Sequence, residues 1–225
     1  MSTQSSSQTF TDALATRVLD FWFGDAPLHP TIEQAQKWFR PNQSFDDSCR
    51  SGFSEAITKL TETPTSDLLA LATTPERTLA LLLLLDQLPR NIHRGPDSAH
   101  VYTVTDPLAL SVARHAIAPD RRFDLGPDKA WRTVPTHRAW FYLPLEHSED
   151  LAAHALAKDM ADECIQDCKG GPGEEMAVGM EKFLKEHTDV LELFGRYPYR
   201  NAVLGRETTE KEKAWLEAGS VAWAR

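Results

Sequence analysis

Apolar residues recur along most of this chain at three- and four-residue intervals, the spacing that places them on one face of a helix. Leu14, Val18, Phe21 and Trp22 form the first such stripe and Gly24 follows as a stop, so the pattern predicts a helix from about Thr11. Thr31 and Gln34 stand in capping-box spacing ahead of Trp38 and Phe39, and Pro41 ends that second element. A third helix opens at Ser44, carries Asp46 and Asp47 at its positive end, and turns Phe45, Cys49, Phe53, Ile57 and Leu60 inward. A Thr/Pro linker over 61–66 and a short helical turn over 67–72 follow. Thr74 as N-cap and Pro75 at the first helical position then signal a helix that contains Leu81 to Leu85, a run read as buried on all sides. It extends at least to Leu88, and Pro89 bends or ends it.

Asp106 and Pro107 predict another helix start, with Leu108, Val112 and His115 to Ile117 as the buried side and Pro119 as the stop. From 120 to 143 the periodicity is lost in a stretch that holds Trp131, Pro135, His137 and Trp140, and this reads as a long loop. Ser148 is read as the cap of a helix over 149–168, broken by the KGGPG segment 169–173. A further helix runs from about Glu175 to Phe194, stopped by Gly195, and Thr209 with Glu212 makes a capping box for a last helix bearing Trp215 and Leu216. No strand run and no βαβ alternation is found. The expectation is an all-α fold of antiparallel helix pairs, with one domain over 10–225 behind a disordered Ser/Thr/Gln tail over 1–9.

Composition narrows the function classes. At 225 residues with 41% apolar content the chain can bury a substantial core. Its net charge of -9 and pI near 5.4 exclude a broad nucleic-acid or anionic-membrane surface, because no excess of Lys and Arg exists to neutralise phosphates. Cys49, Cys164 and Cys168 form no disulfide framework, the N-terminus lacks an apolar leader segment, and the leucine run is shorter than the roughly 18 residues of a membrane span. A cytoplasmic location is therefore expected. There is no HExxH, P-loop or dinucleotide fingerprint, and neither a metal site nor a cofactor is expected. Cys164 and Cys168, four apart on a helix, fit core packing better than metal binding.

Three segments combine a proline with densely spaced ionisable groups: DQLPRNIHRG, LPLEHSED and FGRYPYRNAVLGR. In wording and order they resemble the domain-of-unknown-function family 924 of bacteria and fungi, and the resemblance extends from VLDFWFG to the TTEKEKAWL end. It implies a tetratricopeptide-like, right-handed array of stacked helix pairs and brings no established reaction. Carried over by position, it marks Asp86, Gln87, Arg90, Asn91 and Arg94 in the first segment and Pro144, His147, Ser148 and Glu149 in the second. In the third it marks His187, Phe194, Gly195, Arg196, Pro198, Arg200, Asn201, Gly205 and Arg206. The chain departs from the family pattern at Leu193, where Arg is common, at Tyr199, where His is common, and at His154, where Gln is frequent.

Two readings of these residues stand side by side. In one, Arg90, Arg94, Arg196, Arg200 and Arg206 form an anion clamp, aided by Gln87, Asn91, Tyr199 and Asn201, because a guanidinium presents a planar donor fork to carboxylate or phosphate. His147 then moves a proton, with Glu149, Asp86 and His187 as the other catalytic candidates. The protein is on this reading a cofactor-free enzyme of hydrolysis, elimination, isomerisation or cyclisation acting on an anionic or carbonyl-bearing small molecule. In the other, the arginines pair with Asp86, Glu146 and Glu149 as buried ion networks, and the helical stack is a non-catalytic tetratricopeptide-like module for an acidic peptide or protein partner. No regular 34-residue period supports the second reading.

Overall fold

A computed structural model describes residues 10–219, and every regular element among them is helical. The predicted start signals act where they were read. Helix α1 (Asp12–Phe23) is capped by Thr11, whose hydroxyl accepts from the Leu14 amide, and ends at Gly24 with φ +50°. Helix α2 (Ile32–Ala35) carries the Thr31/Gln34 capping box and tightens into a 3-10 turn (Gln36–Trp38). Helix α3 (Gln43–Thr61) is capped one residue earlier than expected, by Asn42, and α4 (Thr65–Leu71) is the short element after the linker. The Thr/Gln/Ser tail expected to be disordered lies outside the described residues.

Thr74 and Pro75 start α5 (Pro75–Leu82), but Pro89 does not end it. The chain widens into a π turn (Leu83–Gln87), in which the Leu88 amide bonds the Leu83 carbonyl, and continues as α6 (Leu88–Ile92). The same device recurs at Pro107. A π turn (Val101–Thr105), closed by the Asp106 amide on the Val101 carbonyl, leads into α7 (Asp106–Ala116), so Asp106 lies inside a continuous helix and is no N-cap. A proline ring collides with the carbonyl four residues back, and the wider π turn moves that carbonyl aside while the chain stays helical. Packing, not local propensity, selects this solution: Leu79 to Leu85 and Leu88 are all at most 1% exposed, so the helix cannot turn away from the core.

The long loop is shorter than predicted. Helical turns (Phe123–Leu125 and Pro127–Lys129) occupy its first half, and α8 (Pro135–Glu146) replaces its second. Helix α8 shows no amphipathic period because ten of its twelve residues are buried. Helix α9 (Leu151–Cys168) is capped by Asp150, not by Ser148, since the backbone only leaves α8 at His147. Helix α10 (Glu174–Phe194) ends at Gly195 with φ +70°, and α11 (Glu210–Ala218) keeps its Thr209/Glu212 capping box.

Helices α8, α9 and α10 pack in sequence as antiparallel neighbours, while α3 packs on α6, α1 on α5, and α7 on α8. Their inner faces form one large apolar cluster from Phe10 to Leu184; a smaller one gathers Val190, Leu191 and Tyr197. Cys49, Cys164 and Cys168 are free and buried in the large cluster. No helix among the described residues is long and apolar enough to cross a membrane. The turn of α5 into α6, the start of α7 and the end of α8 meet at one point, and the site lies there.

Candidate functional site

The two π turns contact each other and bring Asp86 and Asp106 to opposite sides of Arg90. The Arg90 guanidinium holds Asp106 through two bonds of 2.6 and 3.1 Å and donates to the Asp86 carbonyl at 3.1 Å. Burial and the two neighbouring carboxylates act against each other on Arg90, and the carboxylates win, so its pKa rises further. Asp86 reaches across to α8 and meets the Nδ1 of His147 at 2.7 Å. Its second oxygen takes a short hydrogen bond from Gln87.

Burial pushes the Asp86 carboxyl upward, but His147, Arg90 and the hydrogen bonds from His147 and Gln87 outweigh it and bring the carboxyl to about 2. Burial and the Arg90 charge lower the His147 ring, against the pull of Asp86. At neutral pH the pair is therefore a carboxylate accepting Nδ1–H from a neutral imidazole, which leaves the lone pair on Nε2. That nitrogen makes no hydrogen bond among the described residues, and the His147 side chain stays 14% exposed.

The residue before His147 behaves oppositely. Burial and the charge of Asp86 raise Glu146 to about 8, with Arg90 opposing, so its carboxyl is protonated at neutral pH. Its Oε1 lies 3.2 Å from Nδ1 of His187, whose ring burial drives down to about 3. His187 also bonds the Phe183 carbonyl at 2.9 Å.

The third segment closes over this point. Arg200 donates to the His147 carbonyl at 2.9 Å and lies among the rings of Tyr102, Tyr197 and Tyr199 at 4.4, 4.6 and 5.5 Å from their centroids. The Tyr197 hydroxyl donates to the Glu146 carbonyl at 2.5 Å and lies 3.2 Å from Nε2 of His154, which contacts Thr188 through Nδ1. Glu149 turns outward from this group. It accepts from the Tyr197 amide at 2.9 Å and pairs with Arg206 through bonds of 2.7 and 3.0 Å.

The five arginines do not converge. Arg90 and Arg200 flank the His147 group, whereas Arg94 holds Asp46 through bonds of 2.6 and 2.9 Å and Arg196 holds Glu212 through bonds of 2.7 and 2.9 Å. Asn91 is occupied by the Gln87 carbonyl and Arg94, and Asn201 bonds Thr208 at 3.4 Å. Three participants escaped the sequence reading. Asp106 looked like a helix cap, Tyr102 sits in a stretch given no element, and Tyr197 stood between two marked positions. Nothing in the local pattern distinguishes them, because their partners are 16 to 98 residues away.

Residues 18–220 match the family described as bacterial protein of unknown function, DUF924. The chain belongs to this family. A solved structure of a protein of unknown function from Agrobacterium tumefaciens is 36% identical to it, with a TM-score of 0.70 over 92% of this chain and 98% of that one. No curated protein matches. Family membership thus agrees with the helical architecture and with the three motifs that build the His147 group, and attaches no reaction to them.

Proposed function

We propose that the protein is a cofactor-free acid/base enzyme acting on an anionic or carbonyl-bearing small molecule, with His147 as the base. The observation that carries this reading is the Asp86–His147 pair with Nε2 unbonded and partly open to solvent. A carboxylate on Nδ1 fixes the tautomer and supports the imidazolium that forms when Nε2 takes a proton. Glu146, protonated at neutral pH, is suited to return one, since two groups pushed in opposite directions supply both partners of a proton transfer. Arg90, although it holds Asp106 through two bonds, stays partly exposed and keeps its positive charge near His147, and Arg200 bonds both the His147 carbonyl and Tyr199. Hydrolysis, elimination, isomerisation and cyclisation all fit this set.

A tetratricopeptide-like array binding an acidic peptide remains the competing reading. It needs open arginines along a groove, and Arg94, Arg196 and Arg206 are instead joined to carboxylates by paired hydrogen bonds. The test is proton chemistry. Wild-type protein in D2O with small 2-oxo acids and phosphorylated carbonyl compounds should catalyse deuterium incorporation or turnover, rising as His147 loses its proton and falling as Glu146 ionises near pH 8. His147→Ala should lose at least about a hundredfold. A folded His147→Ala protein with undiminished turnover removes the proposal.

A further inference from the structure

A second feature lies at the other end of α8. His137 and His147 are ten positions apart in sequence, about 15 Å along a helix. Around His137 a cavity of about 320 Å³ opens between the end of α1 and the segment that follows it, lined by Leu19, Asp20, Phe23, Ala26, Leu28 and His137 among others. That size is at the small end of ligand sites and suits a molecule of one or two rings.

Three observations define what the cavity would take. The wall is aromatic and apolar: the His137 ring stacks on Phe23 at 4.5 Å with an 11° interplanar angle, Trp131 lies 5.0 Å behind it, and Leu28 is 54% exposed at the edge. Behind this wall the imidazole nitrogens are shut off from the cavity. The Nδ1 atoms of His137 and of nearby His29 are buried and make no hydrogen bond among the described residues. Burial and the neighbouring His29 push His137 down to about 4, so the ring adds no positive charge. Finally, the lining contains the Asp20 carboxylate and no Lys or Arg, and Asp20 has no ion pair among the described residues. The loop is anchored, since the Thr136 hydroxyl donates to the Leu28 carbonyl at 3.2 Å and ties it to α8.

We propose that this cavity binds a small aromatic cation, an arylalkyl amine or an aryl amidine, with its ring against Phe23 and Leu28 and its charged head at Asp20. The site is separate from His147 and does not depend on the acid/base reading.

Benzamidine is the probe, with benzoate as the same ring bearing the opposite charge and guanidinium as the charge without the ring. Titration followed by calorimetry and by histidine ring NMR should show saturable benzamidine binding that moves the His137 signals. Benzoate should not bind, and guanidinium should bind at least about tenfold more weakly than benzamidine. Asp20→Asn should weaken benzamidine about threefold to fivefold, as expected for an ion pair open to solvent. Ala26→Leu, which fills the cavity and leaves Asp20 in place, should abolish binding in a protein that still melts cooperatively. Absence of benzamidine binding at millimolar concentration overturns the proposal. So does equal binding of benzoate, or binding unchanged in the folded Ala26→Leu protein.

Discussion

Two clusters of buried charge sit on α8, and only one of them can exchange protons near neutral pH. In the first turn of the helix Arg138, with a fully buried side chain, donates to the Tyr142 hydroxyl at 2.9 Å, to the Arg132 carbonyl at 2.9 Å and to Asp167 at 2.8 Å. Tyr142 passes its proton side to Asp124 at 2.8 Å, and Arg122 grips Asp124 and Glu163 together. Three groups there have a fixed state: burial and the local charges hold the Tyr142 hydroxyl neutral, and the guanidiniums of Arg122 and Arg138 are held charged. The cluster pins the irregular stretch before α8 onto α8 and α9. At the end of the same helix, His147 and Glu146 replace such permanent groups, and a ring nitrogen has no hydrogen-bond partner among the described residues. The number of buried charges therefore does not mark a site; a titratable group with an unsatisfied atom does.

The sharpest way to break this comparison is to remove the cation from the fixed cluster. Arg138→Met removes three hydrogen bonds made by a fully buried guanidinium, to Tyr142, the Arg132 carbonyl and Asp167, while Arg122 still holds Asp124 and Arg132 still holds Asp167, and should cost about 3–5 kcal/mol, read from denaturant midpoints. The His147 titration followed by NMR should not move in the folded fraction; if it does, the two clusters are one network.

Removing the carboxylate from the other cluster should do less to stability and more to chemistry. Asp86→Asn should cost about 1–3 kcal/mol through the lost charged hydrogen bond. Because Asp86 supports the protonated ring, the substitution should lower the His147 pKa still further and depress any His147-dependent rate.

The pH dependence of stability separates the clusters without a substrate. Folded Glu146 keeps its proton up to about pH 8, whereas unfolded glutamate releases it near the ordinary value of 4.5. Its contribution is thus complete below about pH 4.5 and lost as pH rises to about 8. The lowered rings of His137, His147, His154 and His187 act with the opposite sign, and their contributions are complete above the ordinary 6.5. From pH 7 to 8 Glu146 loses about 1 kcal/mol while the histidines, nearly deprotonated in both states, return only part of it, so the net slope there should be downward. Glu146→Gln should flatten that part of the curve, and a slope that survives the substitution would place its origin elsewhere.

The smallest effect is expected at Glu149. Glu149→Gln weakens a partly exposed pair with Arg206 and should cost about 0.5–1 kcal/mol with little change in His147-dependent turnover. A large loss of turnover at unchanged stability would return Glu149 to the proton-transfer group.

Helix identity was written locally. Thr11, Thr31, Thr74 and Thr209 cap helices from their own first turns, and Gly24 and Gly195 end them with positive φ, so those boundaries needed only a few neighbouring residues. The buried leucines, the absence of strands among the described residues and the three motif segments were legible in the same way. Tertiary structure decided everything that depended on distant partners. Pro89 read as a bend or an end and Pro107 as a helix start, yet the chain runs through both by widening into π turns, the first of them inside the buried Leu79 to Leu88 stretch. Helix α8 was invisible because a segment buried on nearly every side has no polar face to set a period. The arginines looked alike in sequence; packing gave Arg94 to Asp46 and Arg196 to Glu212, and left Arg90 and Arg200 beside His147. Caps and stops involve atoms a few bonds apart, so sequence alone settles them. Which charges meet, and which nitrogen is left open, depends on how whole helices pack.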